Sequence, residues 1–238
     1  MYLNPQWRIL TVGDGDLSFS NAIYTHLSPK ALVASTYDDQ ATIEQKYQHN
    51  ALSNLKAHNV EVLNGFDVTN PACWQTLSQN QHSFDVVIFQ FPLIPAFVGR
   101  EAFENNTRQT SMDVKPYREW NIEGSLNNGL NADYLGQIPF DISHFEGYKI
   151  RNVDRDKHVK DTSGITYVFS QKGINTHTSE LSSRLTKPAY LTPNHCPLCR
   201  VGPYMASEDE IKHLNAKKHQ QMLHLESDWQ QWLNEFYR

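Results

Sequence analysis

The sequence predicts an α/β fold, a doubly wound parallel sheet followed by a small C-terminal appendage. Three observations predict it. Short apolar runs alternate with helix-like stretches over residues 8 to 92. A glycine turn, "VGDGD", directly follows the first run. The tail from His195 onward changes composition, with paired cysteines, several histidines and a long polar stretch. Short apolar strands separated by helices pair in parallel, with helices covering both faces of the sheet.

Taken in order, "RILTV" is a strand, and Leu17 to Leu27 form a helix. "ALVASTY" is the second strand and ends at Asp38 and Asp39. "TIEQKYQHNALSNLKAHN" reads as one helix, with apolar or aromatic residues at 43, 47, 52 and 55. "VEVLNGFD" is a third strand, "PACWQTLSQ" a short helix opened by Pro71, and "FDVVIFQF" a fourth strand. Beyond Pro92 the periodicity weakens. "YREWNIEGSLNNGL" reads as a helix stopped by Gly129, and "ADYLGQIPFD" and "ITYVFSQ" as late antiparallel strands. Between those strands, "GYKIRNVDRDKHVKDTSG" carries five Lys or Arg against three Asp, as an exposed loop would. The expected division is a sheet domain over 1–172, a Thr-, Ser- and Pro-rich linker over 173–192, and an appendage over 193–238.

Bulk properties narrow the function. With 238 residues, 39% hydrophobic and 20% charged, the chain is long enough to bury a core. Its net charge of -5 gives no general attraction for a polyanion, so any nucleic acid needs a local basic patch. The longest apolar stretch, "VVIFQFPLIPAFV", is too short to span a bilayer and is broken by Gln90, Pro92 and Pro95. "MYLNPQWRIL" has no apolar signal core, and three cysteines suit a reducing compartment, so a cytoplasmic protein without a membrane segment is expected.

In a doubly wound sheet the ligand lies beyond the C-terminal strand ends. Gly13 and Gly15 permit a sharp turn there, but Asp14 and Asp16 stand where a pyrophosphate loop avoids negative charge, and Ser18 takes the third glycine position. Two carboxylates beside a pyrophosphate cost several kcal/mol, roughly the Coulomb energy at an effective dielectric of about 20. S-adenosylmethionine has cationic sulfonium and ammonium groups instead. Its ribose diol calls for a carboxylate after the second strand, where Asp38 lies, and its adenine for an acceptor after the third, where Asp67 lies. The simpler reading is that Asp38 or Asp39, and Asp67, cap the helices that follow.

"VGDGDLSFS" followed by "ASTYDD", "GFDVT" and "FDVVIFQFP" resembles the ribosomal RNA (uridine-N(3))-methyltransferase-like family of class I, Rossmann-like methyltransferases. "KPYREWNIEG", "IPFD" and "GYKIR" extend the resemblance over roughly residues 8 to 170. It implies that Gly13, Asp14, Gly15, Asp16, Ser18 and Phe19 line the cofactor turn, with Asp38 and Asp67 on ribose and adenine. It also implies that Gln90, Phe91 and Pro92 face a target uridine of rRNA. Gln90 and Leu93 replace the Asn and His usual in the family, and only 23 residues separate Pro92 from Pro116. Because N(3) is a Watson–Crick pairing atom, the target base must be unpaired or flipped. The alternative is a catalytically inactive cofactor fold that binds RNA or protein through its tail.

In that tail, Cys196, Cys199, His213 and His219 are spaced C-x2-C-x13-H-x5-H, a four-ligand structural zinc arrangement resembling a matrin-type zinc finger. Six residues at 100° each leave the two histidines about 120° apart on an ideal helix. The helix must therefore be distorted between them, or His195 or His224 must substitute. Arg200, Lys212, Lys217 and Lys218, with Lys149, Arg151, Arg155, Lys157 and Lys160 of the basic loop, are the candidate phosphate contacts for RNA. The finger would equally suit a protein partner.

Overall fold

The computed structural model describes residues 2–79, 83–90, 123–124, 131–151, 164–173 and 180–236. Phe91, Pro92, Arg155, Lys157, Lys160 and most of the helix expected over 117–130 lie outside the described residues. The chain divides into two compact units, Met1–Ala96 with Phe140–Gly164, and Phe97–Pro139 with Ile165–Arg238.

The first unit is built on a parallel sheet. β1 (Arg8–Val12), β2 (Ala31–Thr36), β3 (Glu61–Asn64) and β4 (Val86–Phe89) lie in the order β3-β2-β1-β4. Ile9 aligns with Leu32 on one side and Val86 on the other, and every pairing is parallel. A strand covered on both faces must be apolar throughout, and β1 is buried from Ile9 to Val12. At its solvent end, Arg8 donates twice to Asp85, at 2.9 Å each, and holds that carboxyl down at about 2.

α1 (Ser18–Leu27) follows the glycine turn, and α4 (Pro71–Gln79) begins where Asn70 accepts the Ala72 amide at 3.0 Å. The single helix expected over 42–59 is two helices, α2 (Gln40–Lys46) and α3 (Leu52–Ala57). Local hydrogen bonding breaks it. Tyr47 is extended (φ −118°, ψ 107°), and the Asn50 side chain donates to the Tyr47 carbonyl and accepts from the Leu52 amide. The Ala51 amide leaves the helix ladder to donate to the Asp16 carbonyl at 2.9 Å. This break lays Tyr47 to Ala51 against the glycine turn.

The segment from Phe140 closes the unit. Asp141 caps a short 3-10 helix, Ile142–His144, through Ser143. The Phe145 ring lies 4.9 Å from Phe19 and 5.5 Å from Phe140, and Tyr148 packs edge-on to Phe19. These rings extend the core formed by Ile9, Leu17, Ile23, Ile43 and Leu55.

In the second unit, β5 (Ala132–Phe140) and β6 (Gly164–Gln171) form a two-stranded sheet. The Lys172 amide, just past β6, donates to the Asn131 carbonyl at the head of β5, so the strands run antiparallel, as expected. The stretch expected as a linker contains α5 (Glu180–Arg184) and a 3-10 turn, Ala189–Leu191. Thr186 exchanges two backbone hydrogen bonds with Gln137 of β5. α6 (Ser207–Leu214) and α7 (Lys217–Phe236) complete the chain. Among the described residues no helix is long and apolar enough to cross a membrane.

Phe145 is 2% exposed, and its deletion leaves a cavity between two other rings. Phe145→Ala is expected to lower unfolding free energy by about 3–5 kcal/mol, measured as a shifted urea midpoint at unchanged slope.

Candidate cofactor crevice and metal centre

The C-terminal ends of β1, β2 and β3 open on the glycine turn. Gly13 has φ +71°, and a Cβ there would stand 2.8 Å from the Phe89 ring, so the position suits only glycine. The acids beside it have partners within the chain. Asp14, 4% exposed, turns under α1 and accepts from the Ser20 amide (2.7 Å), the Ser20 hydroxyl (2.6 Å) and the Phe19 amide (3.4 Å). It thereby serves the free amides of a helix whose own N-cap, Leu17, has no side-chain acceptor. Burial pushes the Asp14 carboxyl up to about 7, with Asp16 adding to the rise and the Ser20 and Phe19 bonds opposing it.

Asp16, 2% exposed, accepts from the Ser18 amide and hydroxyl and from Arg151 Nε at 2.5 Å. Arg151 also donates to the His49 carbonyl and lies over the Tyr47 ring. Expected as an exposed phosphate contact, Arg151 is instead drawn inward, because the carboxylate it meets is nearly solvent-free.

Asp38 and Asp67 come together on the rim of one open depression of about 410 Å³, lined also by Tyr37, Asp39, Thr42 and Gly65. Two hydrogen bonds join the strand ends there, Gly65 amide to Asp38 carbonyl and Phe66 amide to Thr36 carbonyl. Asp39, not Asp38, caps α2 through the Thr42 amide, which lowers its pKa. Asp67 accepts from the Thr69 amide and hydroxyl, which lowers its pKa likewise. Asp38 Oδ2 accepts from Lys46 Nζ at 3.1 Å and Tyr47 Oη at 3.4 Å. Tyr47 had only a packing position in the sequence pattern. Helix periodicity marks it only as a buried ring, and its hydroxyl reaches the turn because the helix breaks there.

Gln90 follows β4, its amide donating to the Val12 carbonyl at 3.4 Å. Its buried Nε2 has no hydrogen-bond partner among the described residues. Tyr148 stands beside it. Burial pushes that phenol well above its usual range, with Gln90 pulling the other way.

In the second unit, Cys196, Cys199, His213 and His219 place one ligand atom each within 4.8 Å of one another. His219 Nδ1 lies 3.6 Å from Cys196 Sγ and 3.3 Å from Cys199 Sγ. Ligand atoms on a tetrahedral zinc ion are separated by roughly 3.3–3.8 Å, from bonds of about 2.0 and 2.3 Å. The donor set therefore fits that metal. The helix breaks at Asn215 and Ala216, between α6 and α7, which brings the two histidine rings to 4.9 Å. Distortion, not substitution by His195 or His224, resolves the 120° mismatch. His213 Nε2 is buried with no hydrogen-bond partner among the described residues. Burial and Cys196 push the Cys199 thiol up to about 11, and burial lowers His219; a bound dication reverses the first and suits the second.

Arg200, next to the knuckle, is not free for phosphate. It pairs at 3.2 Å with Glu123, whose side chain is fully buried, and lies over the Tyr190 ring, whose hydroxyl bonds the same carboxylate. Lys149, Lys212, Lys217 and Lys218 are exposed.

A parallel sheet in the order β3-β2-β1-β4, flanked by helices, defines the class, a Rossmann-like α/β domain. Residues 10–112 match the family described as rRNA (uridine-N3-)-methyltransferase BTM5-like. Methyl transfer from S-adenosylmethionine to RNA is what that family implies. The chain is also 25% identical over 212 residues to heavy metal-associated isoprenylated plant protein 41 of Arabidopsis thaliana. That alignment covers 76% of this chain and 40% of the relative. It is 27% identical over 200 residues to the ferredoxin-fold anticodon-binding domain-containing protein 1 homolog of Mus musculus, covering 69% of this chain and 31% of the relative. The chain thus spans well under half the length of either curated relative. No solved structure matches significantly.

The folded state keeps the Asp14 proton up to about pH 7, whereas the unfolded chain releases it near the ordinary value of 3.8. This contribution to stability is fully present below that value and is lost as pH rises through about 7. Asp14→Asn, which cannot ionise, is expected to show a flatter melting temperature between pH 4 and 7 than the wild type, measured by calorimetry in parallel.

Proposed function

We propose that the chain is an S-adenosylmethionine-dependent RNA methyltransferase acting on uridine N(3) of ribosomal RNA. The observation that carries this reading is the family match over residues 10–112, the segment that builds the sheet and its ligand rim. When bound, S-adenosylmethionine supplies an electrophilic methyl group on a sulfonium centre. Asp38 accepts from its ribose hydroxyls and the Asp67 turn borders its adenine. Gly13, Gly15, Ser18 and Phe19 shape the turn, and Asp14 and Asp16 act from beneath it as braces for the backbone. Gln90, its side chain set beside the Tyr148 phenol at the end of β4, is suited to orient the imide of a uridine. Phe91 and Pro92 complete the target side of the site. Positioning an unpaired base in line with the methyl group supplies most of the acceleration.

Zinc belongs to this reading as a structural ion on Cys196, Cys199, His213 and His219. Four protein ligands leave no open coordination position, so the ion has no catalytic part. RNA contacts fall to Lys149, Arg155, Lys157, Lys160, Lys212, Lys217 and Lys218. Arg151 and Arg200, both in internal ion pairs, position the backbone beside those contacts. The work divides between a catalytic portion, 1–172, and a substrate-engaging portion, 193–238.

Calorimetry with S-adenosylhomocysteine is expected to show saturable binding, weakened at least tenfold by Asp38→Ala. rRNA from cells lacking the protein is expected to lack one N(3)-methyluridine by nucleoside mass spectrometry. Cofactor binding with an unchanged nucleoside profile selects the inactive, RNA- or protein-binding alternative. The purified chain is expected to carry one zinc per molecule, and Cys196→Ser to lose it, by elemental analysis.

A further inference from the structure

We propose that Tyr47 is a positioning residue for the ribose of the cofactor: its hydroxyl, set between Gly15 and Asp38, helps hold one carboxylate oxygen of Asp38 so that the other faces the ribose diol. The inference rests on the cofactor reading above and deepens it.

The placement comes from the backbone. Tyr47 is the residue at which α2 ends, and its extended conformation turns the side chain off the helix and into the first unit, where it is 4% exposed. A Cβ on Gly15 would lie 2.8 Å from the Tyr47 oxygen, so the absence of a side chain at Gly15 is what admits the hydroxyl. The ring is confined by the Arg151 guanidinium, 5.5 Å from its centroid, and the Lys46 ammonium at 5.2 Å. A buried side chain fixed by two cations and a glycine has little freedom to leave its position.

The chemistry follows from the two oxygens of Asp38. Oδ2 takes both the Lys46 ammonium at 3.1 Å and the Tyr47 hydroxyl at 3.4 Å. Oδ1 accepts no hydrogen bond among the described residues, and the carboxylate is 17% exposed on the rim of the depression. Lys46 supplies the opposite charge beside Asp38, and the tyrosine, at a distance long for such a bond, sets direction more than strength. Burial raises the Tyr47 phenol, which keeps it a neutral donor at physiological pH. With Oδ2 held by its two donors, the lone pairs of Oδ1 are left for the hydroxyls of a diol to donate to.

Tyr47→Phe keeps the ring and removes the hydroxyl, so it separates positioning from packing. The full chain is titrated calorimetrically with S-adenosylhomocysteine and with its 2′-deoxyribose analogue. Wild type is expected to discriminate against the analogue. Tyr47→Phe is expected to bind S-adenosylhomocysteine about three- to tenfold more weakly, with a smaller discrimination ratio and a melting temperature within about 2 °C of wild type. Should Tyr47→Phe fail to fold, Lys46→Met, which removes the other donor to Oδ2, is expected to shrink the same ratio. Wild-type binding with affinity and ratio unchanged in the folded variant overturns the role of Tyr47 and leaves the cofactor reading standing. No binding by the wild type overturns both.

Discussion

The ion pair between Asp16 and Arg151 is the constraint on which the first unit depends. It joins residues 135 positions apart at 2.5 Å, with both side chains nearly out of solvent. Removing one partner of such a pair leaves an uncompensated buried charge, at a cost of about 3–5 kcal/mol. Arg151 contributes more than charge. Its contacts with the His49 carbonyl and the Tyr47 ring fasten the break between α2 and α3 to the glycine turn. The Phe19, Phe140, Phe145 and Tyr148 rings do the same for the returning segment by apolar burial.

The pair also changes how the acidic crevice is understood. Asp14 is served by α1 and retains its proton to about pH 7, Asp16 by Arg151, and Asp38 by Lys46 and Tyr47. The rim is therefore much less negative than a count of its carboxylates implies. What the crevice offers is less raw charge than acceptors held in fixed directions, as preorganised sites generally do.

Much of this was legible in the sequence because it is local. The strands at 8–12, 31–36, 61–64 and 86–89 each hold a short apolar run, and in β1 and β2, the inner strands, burial from Ile9 to Val12 and from Leu32 to Thr36 goes with it. The Cys196, Cys199, His213 and His219 cluster is marked by spacing, and the helix distortion that gathers it is one of the two outcomes that 100° per residue allowed. What escaped was non-local. Nothing in "YQHNAL" announces that Ala51 bonds the Asp16 carbonyl rather than Tyr47, so one helix was expected where two exist. Arg151 and Arg200 looked like surface bases because their partners, Asp16 and Glu123, are remote in the chain. Tyr47 carried an apolar signal that was correct about burial and silent about its hydroxyl.

The sequence distance spanned by that first ion pair has a bearing on biogenesis. At synthesis rates of about 5–20 residues per second, the glycine turn is made roughly 7–27 seconds before its guanidinium partner. Through that interval β1 to β4 can pair, but the carboxylate beneath the turn has the Ser18 amide and hydroxyl and no cation beside it. The crevice therefore reaches its finished shape late, when the returning aromatic segment docks. A nascent chain stalled before that point is a sheet without a finished mouth.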